Sequence, residues 1–373
     1  MSRASGPTAD EALAALRRAG LRPPRRLTAA VECACNLSCD HCYVEGGTSA
    51  GASPPLDAVR RLLSEFAEVG GSEFCLTGGE PLLRPDWLEV VAFAGSLPGC
   101  EQVTLQTNAT LLGPAEARGL AALRCPQLVV QVSLEGATAE AHDLVRGPGR
   151  FAAASRGLAA LAEAGLAGQT AVAFTEMRHN LDQLPALFEW LERLGVGRVT
   201  SASVTPHGRA SGSPRILPPE PHQYRELLMR YRDDAAFRRR CCERGQVTAL
   251  QWWKGREFAG GSVCSLLQNP YLSTDGRLYP CPLLHAPEFA AEAAWDVPLA
   301  TLLAQTAERW GELQRRSETR PEALTACRSC PGRGHCGGGC MGRAHMAEGT
   351  LLACEDRCGL RKAVYGFEGE SPD

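Results

Sequence analysis

Residues 27–43 read LTAAVECACNLSCDHCY. The opening eight residues, LTAAVECA (27–34), form a nearly unbroken run of small and branched side chains, the pattern of a strand covered on both faces. Cys35, Cys39 and Cys42 follow on a short polar loop in C-x3-C-x2-C spacing. Thiolate is the natural ligand of iron–sulfur centres, and three thiols on one tight loop suit three irons of a cubic cluster. Cys33 belongs to the incoming strand and is read as facing away from the triplet. One iron is then left open, and an open coordination position is where a substrate binds. A zinc knuckle would want four ligands here.

Five more strand-like runs lie downstream: EFCLTG (73–78), QVTLQTN (102–108), LVVQVSLEG (128–136), QTAVAFT (169–175) and RVTSASV (198–204). Helical periodicity lies between them. Leu56, Val59, Leu62, Leu63 and Phe66 share one face at three- and four-residue steps, and Gly70 ends that helix. Residues 86–94, 114–123, 151–164 and 181–194 behave alike, and 218–233 reads as one more helix. Six strands alternating with helices predict a parallel sheet with right-handed crossovers. The expected fold class is therefore α/β, a partial (β/α)6 TIM-like barrel.

In such folds the chemistry gathers at the C-terminal ends of the strands. The cysteine triplet follows the first strand, Gly78-Gly79-Glu80-Pro81 the second and Asn108 the third, while Ser133 and Glu135 end the fourth. All the unusual polar residues land on one rim.

The chain has 373 residues, 17 cysteines and a formal net charge of −3, which gives no electrostatic reason to expect nucleic acid or an anionic membrane as partner. Neither a secretory signal nor an apolar run of transmembrane length is apparent, so a cytoplasmic protein is expected. In that reducing compartment clustered thiols serve as metal ligands rather than disulfides. Four cysteines fall within 33–42 and six within 327–358. Cys75, Cys100 and Cys125 lie in apolar surroundings and read as small buried hydrophobes.

The triplet, with His41 in the place of the aromatic residue before the last cysteine, and the TGGEP segment together resemble the radical S-adenosylmethionine (SAM) superfamily. The resemblance implies that Gly78, Gly79 and Glu80 hold the SAM amino group. It also implies that Asn108, Ser133 and Glu135 meet the ribose or substrate, and that Arg146 pairs with the SAM carboxylate. VSLEGATAEAHDLVRG has Glu135 where the family usually has Asp, one methylene longer. Farther on, Cys264, Cys281, Cys327, Cys330, Cys336, Cys340 and Cys358 resemble the SPASM extension, a seven-cysteine pattern carrying two auxiliary [4Fe-4S] clusters. Carried over, Cys327, Cys330, Cys336 and Cys358 would bind the outer cluster, and Cys264, Cys281 and Cys340 the inner one. For the inner cluster's fourth ligand, Cys241, Cys242 and an open iron stand as alternatives, since 255–263 contains no cysteine. Cys354 is an alternative to Cys358.

The expected organisation is an extension (1–26), the barrel (27–235), a linker (236–263) and a small, irregular, cysteine-rich domain (264–365). A region with so little apolar periodicity draws stability from metal ligation. The implied activity is reductive cleavage of SAM to a 5′-deoxyadenosyl radical that takes hydrogen from a substrate. The substrate would be a peptide or protein, or alternatively a small molecule such as a tetrapyrrole. An electron donor such as flavodoxin or ferredoxin is implied. With only 26 residues before the first strand, a separate leader-peptide-binding protein is also expected.

Overall fold

The computed structural model describes residues 6–46, 53–255, 264–330 and 332–368. Six strands, β1 (Arg26–Glu32), β2 (Glu73–Gly78), β3 (Gln102–Thr107), β4 (Leu128–Ser133), β5 (Thr170–Glu176) and β6 (Arg198–Ser203), pair in parallel in chain order. Their burial follows from the crossovers: α1 (Ala9–Arg18) precedes β1, and α2 (Leu56–Glu68), α3 (Trp87–Ser96), α4 (Pro114–Ala122), α5 (Ala139–Arg146), α6 (Arg150–Glu163) and α7 (Leu184–Arg193) cover the outer face. The buried residues of α2 are Val59, Leu62, Leu63 and Phe66, the face anticipated from spacing. These elements form the expected α/β architecture, a partial TIM-like barrel.

The sheet extends beyond six strands at both edges. β7 (Gly245–Gln246) adds in parallel to β6, while β8 (Tyr271–Leu272) adds in parallel to β1 and turns back antiparallel into β9 (Leu278–Tyr279). Two-residue strands carry too little periodicity to read from sequence.

The segment 236–263, anticipated as a linker, is largely helical where it is described. After α8 (Pro221–Asp233) come α9 (Ala235–Arg244) and α10 (Thr248–Gly255); residues 256–263 lie outside the described residues. The run Arg238-Arg239-Arg240 masks the buried pair Phe237 and Cys241, one helical turn apart. In α10, Trp253 is fully buried, and the Trp252 ring carries the Arg361 guanidinium 4.2 Å from its centroid.

The cysteine-rich region, expected to be irregular, holds several helices. α11 runs over Leu299–Ala323, followed by the short α12 (Thr325–Arg328), α13 (Arg333–Cys336), α14 (Met341–Glu348) and α15 (Cys358–Tyr365). The second half of α11 buries Leu313, Ser317 and Arg320, a helical face that apolar periodicity under-reads because two of its three members are polar. Near its start Glu65 of α2 accepts from the Leu299 backbone N–H at 2.8 Å. Arg343 pins the region to the barrel. It is 3 % exposed, donates to the carbonyls of Ser203 (3.1 Å) and Val204 (2.6 Å) at the end of β6, and pairs with Asp356. Among the described residues no helix is long and apolar enough to cross a membrane.

Candidate active site

Cys35, Cys39 and Cys42 lie on the loop leaving β1, and this loop is tied down from three directions. Arg209, just beyond β6, donates through Nε to the Cys39 carbonyl at 2.8 Å and through Nη1 to the Gly46 carbonyl at 3.1 Å. Asn36 donates to Thr110 at 2.9 Å and accepts from Asn108 Nδ2 at 2.9 Å, fastening the loop to the end of β3. The Asp40 backbone N–H donates to the Val145 carbonyl of α5 at 2.9 Å. Arg209 was not anticipated from sequence. Its one legible signal was its place just after the sixth strand.

The strand ends enclose a cavity of about 410 Å3, lined by all three triplet cysteines and by Gly78, Gly79, Glu80, Asn108, Ser133 and Arg146. His41 lines it too, and its Nδ1 is buried with no hydrogen-bond partner. Gln106 and Gln131 also face it, linked side chain to side chain at 2.6 Å, and sequence reasoning missed both. Cys33 lies outside this lining and faces a neighbouring cavity of about 340 Å3, with Tyr271, Tyr279 and His285.

The Gly-Gly segment and Glu135 each do something beyond what the resemblance implied. The glycines of TGGEP make room first for the protein itself. A Cβ on Gly79 would lie 2.2 Å from the Ala34 carbonyl oxygen, and one on Gly78, at φ +145°, 2.1 Å from that of Glu32. The strand bearing the cysteines and the Gly-Gly segment are therefore pressed together, with Gly79 N–H donating to Glu32 O and Glu80 N–H to Ala34 O, both at 2.8 Å. Gly79→Ala is expected to push the exit of β1 aside and reduce SAM cleavage at least about tenfold, roughly 1.4 kcal/mol of barrier. The C-terminal thiol sites should keep their iron. Timed 5′-deoxyadenosine production alongside iron analysis checks this.

Glu80 is extended (φ −133°, ψ 109°), as Pro81 requires. Its buried carboxylate accepts from Thr107 Oγ1 (2.7 Å) and from the backbone N–H groups of Asn108 (2.8 Å) and Leu82 (3.2 Å). Burial pushes this carboxyl up, and the three donors oppose that shift. A carboxylate offers roughly four acceptor positions, so capacity for an ammonium remains.

Glu135 does not line the cavity. It is fully buried, and its Oε1 accepts from Arg146 Nε at 3.0 Å and Nη2 at 2.6 Å, with His41 Nε2 at 3.4 Å. Its Oε2 accepts from the Thr175 backbone N–H at 2.8 Å. Against the desolvation of burial, Arg146 and His41 hold this carboxyl far below the usual range. Glu135 thus orients the two residues that do face the cavity. Arg146 is no solvated helix end: its side chain is 9 % exposed, and Nη1 stands 3.8 Å from Cys39 Sγ.

The C-terminal thiols form two sets. Cys264, Cys281 and Cys340 act electrostatically on one another, and burial pushes Cys264 up to about 12. Cys241 and Cys242 are not with them: Cys241 is buried in α9, and Cys242 is exposed with its Sγ 3.1 Å from Tyr231 Oη. Among the described residues the inner set therefore has three thiols. The outer set lines one pocket, where Cys327, Cys330 and Cys336 meet both Cys354 and Cys358. Cys75 is buried on β2, as its apolar surroundings suggested.

The first cavity fits a triplet-bound cluster with SAM. All three of its thiols line the cavity, and Gly46 packs where a Cβ would lie 3.2 Å from Gly79 Cα and 3.9 Å from Cys42 Sγ. His41 and Glu80, the latter with acceptor capacity to spare, both line that space.

Residues 33–191 match the radical SAM superfamily. The chain is 30 % identical over 331 residues to the mycofactocin maturase MftC of Mycobacterium ulcerans, covering 86 % of this chain and 84 % of that protein. It is 28 % identical over 355 residues to the AdoMet-dependent heme synthase of Nitratidesulfovibrio vulgaris, covering 88 % and 90 %. In fold it is similar to Streptococcus suis SuiB bound to its precursor peptide SuiA, with a TM-score of 0.72 and 16 % identity over 93 % of this chain and 78 % of that one. It is likewise similar to anSMEcpe with bound AdoMet, with a TM-score of 0.71 and 16 % identity over 92 % and 93 %. The chain belongs to the radical SAM superfamily.

Proposed function

We propose that this protein is a peptide maturase that reductively cleaves SAM to a 5′-deoxyadenosyl radical and takes hydrogen from a peptide side chain or backbone. The observation that carries this reading is the similarity to MftC, which spans 84 % of that maturase and so takes in both the barrel and the cysteine-rich region.

In this reading Cys35, Cys39 and Cys42 would hold a [4Fe-4S] cluster with one iron open to SAM; the cluster would supply the reducing electron and SAM the sulfonium bond that it cleaves. Glu80 takes the SAM ammonium, and Arg146, held by Glu135, takes the carboxylate. Asn108 braces the cysteine loop from the cavity wall. Ser133, Gln106 and Gln131 offer hydrogen bonds across the barrel floor, and the enclosing strand ends exclude water from the reacting atoms. Cys264, Cys281 and Cys340 hold the inner auxiliary cluster, and Cys327, Cys330, Cys336 and Cys358 the outer one. Flavodoxin or ferredoxin supplies the electron. A separate protein presents the leader peptide, and the reaction runs in the cytoplasm, where thiols stay reduced.

Anaerobic co-expression with the small open reading frames beside the gene, read by mass spectrometry, tests this. A mass change in one encoded peptide is the expected result. No change in any peptide, together with a change in a tetrapyrrole, would move the protein to the chemistry of its heme synthase relatives.

A further inference from the structure

Between the two C-terminal thiol sets lies a group of buried charges with no part in the reading above. Arg320 on α11 is 1 % exposed. Its Nε donates to the Gly338 carbonyl at 2.9 Å and its Nη2 to the Ala353 carbonyl, while Nη1 is buried without a hydrogen-bond partner. Gly338 stands between Cys336 of the outer set and Cys340 of the inner, and Ala353 precedes Cys354. Both carbonyls that hold the guanidinium thus belong to turns bearing thiols. The charges acting on Arg320 include Cys340 from one set and Cys327 from the other.

Glu355 is the counter-charge. It is 4 % exposed, and its carboxylate accepts from the Cys340 backbone N–H at 3.0 Å, from Arg357 at 2.8 Å and from Arg361. Arg357 and Arg361 both pair with this carboxylate.

A buried guanidinium nitrogen without an acceptor is costly, and a sulfide of a bound cluster would remove that cost. The potential of an iron–sulfur cluster rises with hydrogen bonds to its sulfurs and with nearby positive charge, which acts strongly at low dielectric. We propose that Arg320 sets the reduction potentials of both auxiliary clusters, with Nη1 donating to sulfur and its charge shared between the two sites. This role rests on the auxiliary-cluster reading. It makes Arg320 a positioning and tuning residue with no contact to substrate.

The test is an anaerobic redox titration of the holoenzyme followed by electron paramagnetic resonance. Arg320→Gln should move the midpoints of both auxiliary signals negative, and Glu355→Gln should move them positive. Arg320→Lys should stay near wild type. The first cluster, recognised by the response of its signal to added SAM, should not move in any of the three. Wild-type midpoints in iron-replete Arg320→Gln and Glu355→Gln would overturn the proposal. Loss of iron from both without a shift in the remaining signals would do the same, since the charges would then be structural. Where Arg320→Gln alone loses iron, the shift in Glu355→Gln decides. Iron content separates this from the reading beneath it: about four irons in the wild type would remove the auxiliary clusters themselves, whereas about twelve irons without the shifts would remove Arg320's role alone.

Discussion

Glu135→Ala should lower folding stability by about 3–5 kcal/mol and abolish SAM cleavage, although Glu135 does not line the cavity. The loss follows from what remains behind. Arg146 would keep its buried guanidinium with its carboxylate gone, and the Thr175 backbone N–H at the rim of β5 would lose its acceptor. Arg146 would then be free to turn toward the cysteine loop, from which it already stands 3.8 Å at Cys39 Sγ. Glu135→Gln keeps an oxygen for one partner and removes the charge, so it should cost about 1–3 kcal/mol. Glu135→Asp tests the departure from the family's usual residue. Its carboxylate is one methylene short of spanning Arg146 and Thr175 together, and an intermediate loss is expected. Denaturant unfolding of the iron-free chain gives the stabilities, and 5′-deoxyadenosine production gives the activity. A Glu135→Ala protein as stable as wild type would contradict the buried-pair account.

Cys39→Ala should leave the protein with about eight of about twelve irons and no 5′-deoxyadenosine under reducing conditions. A cubic cluster with only two cysteine ligands is not retained, and no other described thiol lines that cavity. Cys330→Ala combined with Cys354→Ala, which also removes the spare thiol of that pocket, should be the mirror image. The outer site loses its iron, while 5′-deoxyadenosine still forms because the first cavity is untouched. Iron analysis and anaerobic product assays on the two variants separate the sites. Residual 5′-deoxyadenosine from Cys39→Ala at a tenth of wild type or more would sink the assignment of the triplet.

Much of this architecture is local and therefore legible. Strand β2 was readable residue for residue, because Phe74, Cys75 and Leu76 form a buried run stopped by Gly78. The helical face of α2 was readable because its spacing and its burial express the same period. Legibility failed where burial and hydrophobicity part company. The later half of α11 buries an arginine and a serine, and α9 hides two buried residues behind an arginine run.

The candidate site divides the same way. The cysteine spacing, the Gly-Gly-Glu segment and their common place after consecutive strands are properties of short segments, and the sequence alone was enough to name the superfamily. Pairing across the fold is not a local property. The carboxylate that holds Arg146, the hold of Arg209 on a loop about 170 positions earlier, and the placing of Arg320 between two thiol sets each join segments that no period connects. Those partnerships exist only once the segments that carry them have folded against one another. Burial then removes the water that would otherwise satisfy each charge, so the fold must supply its partner.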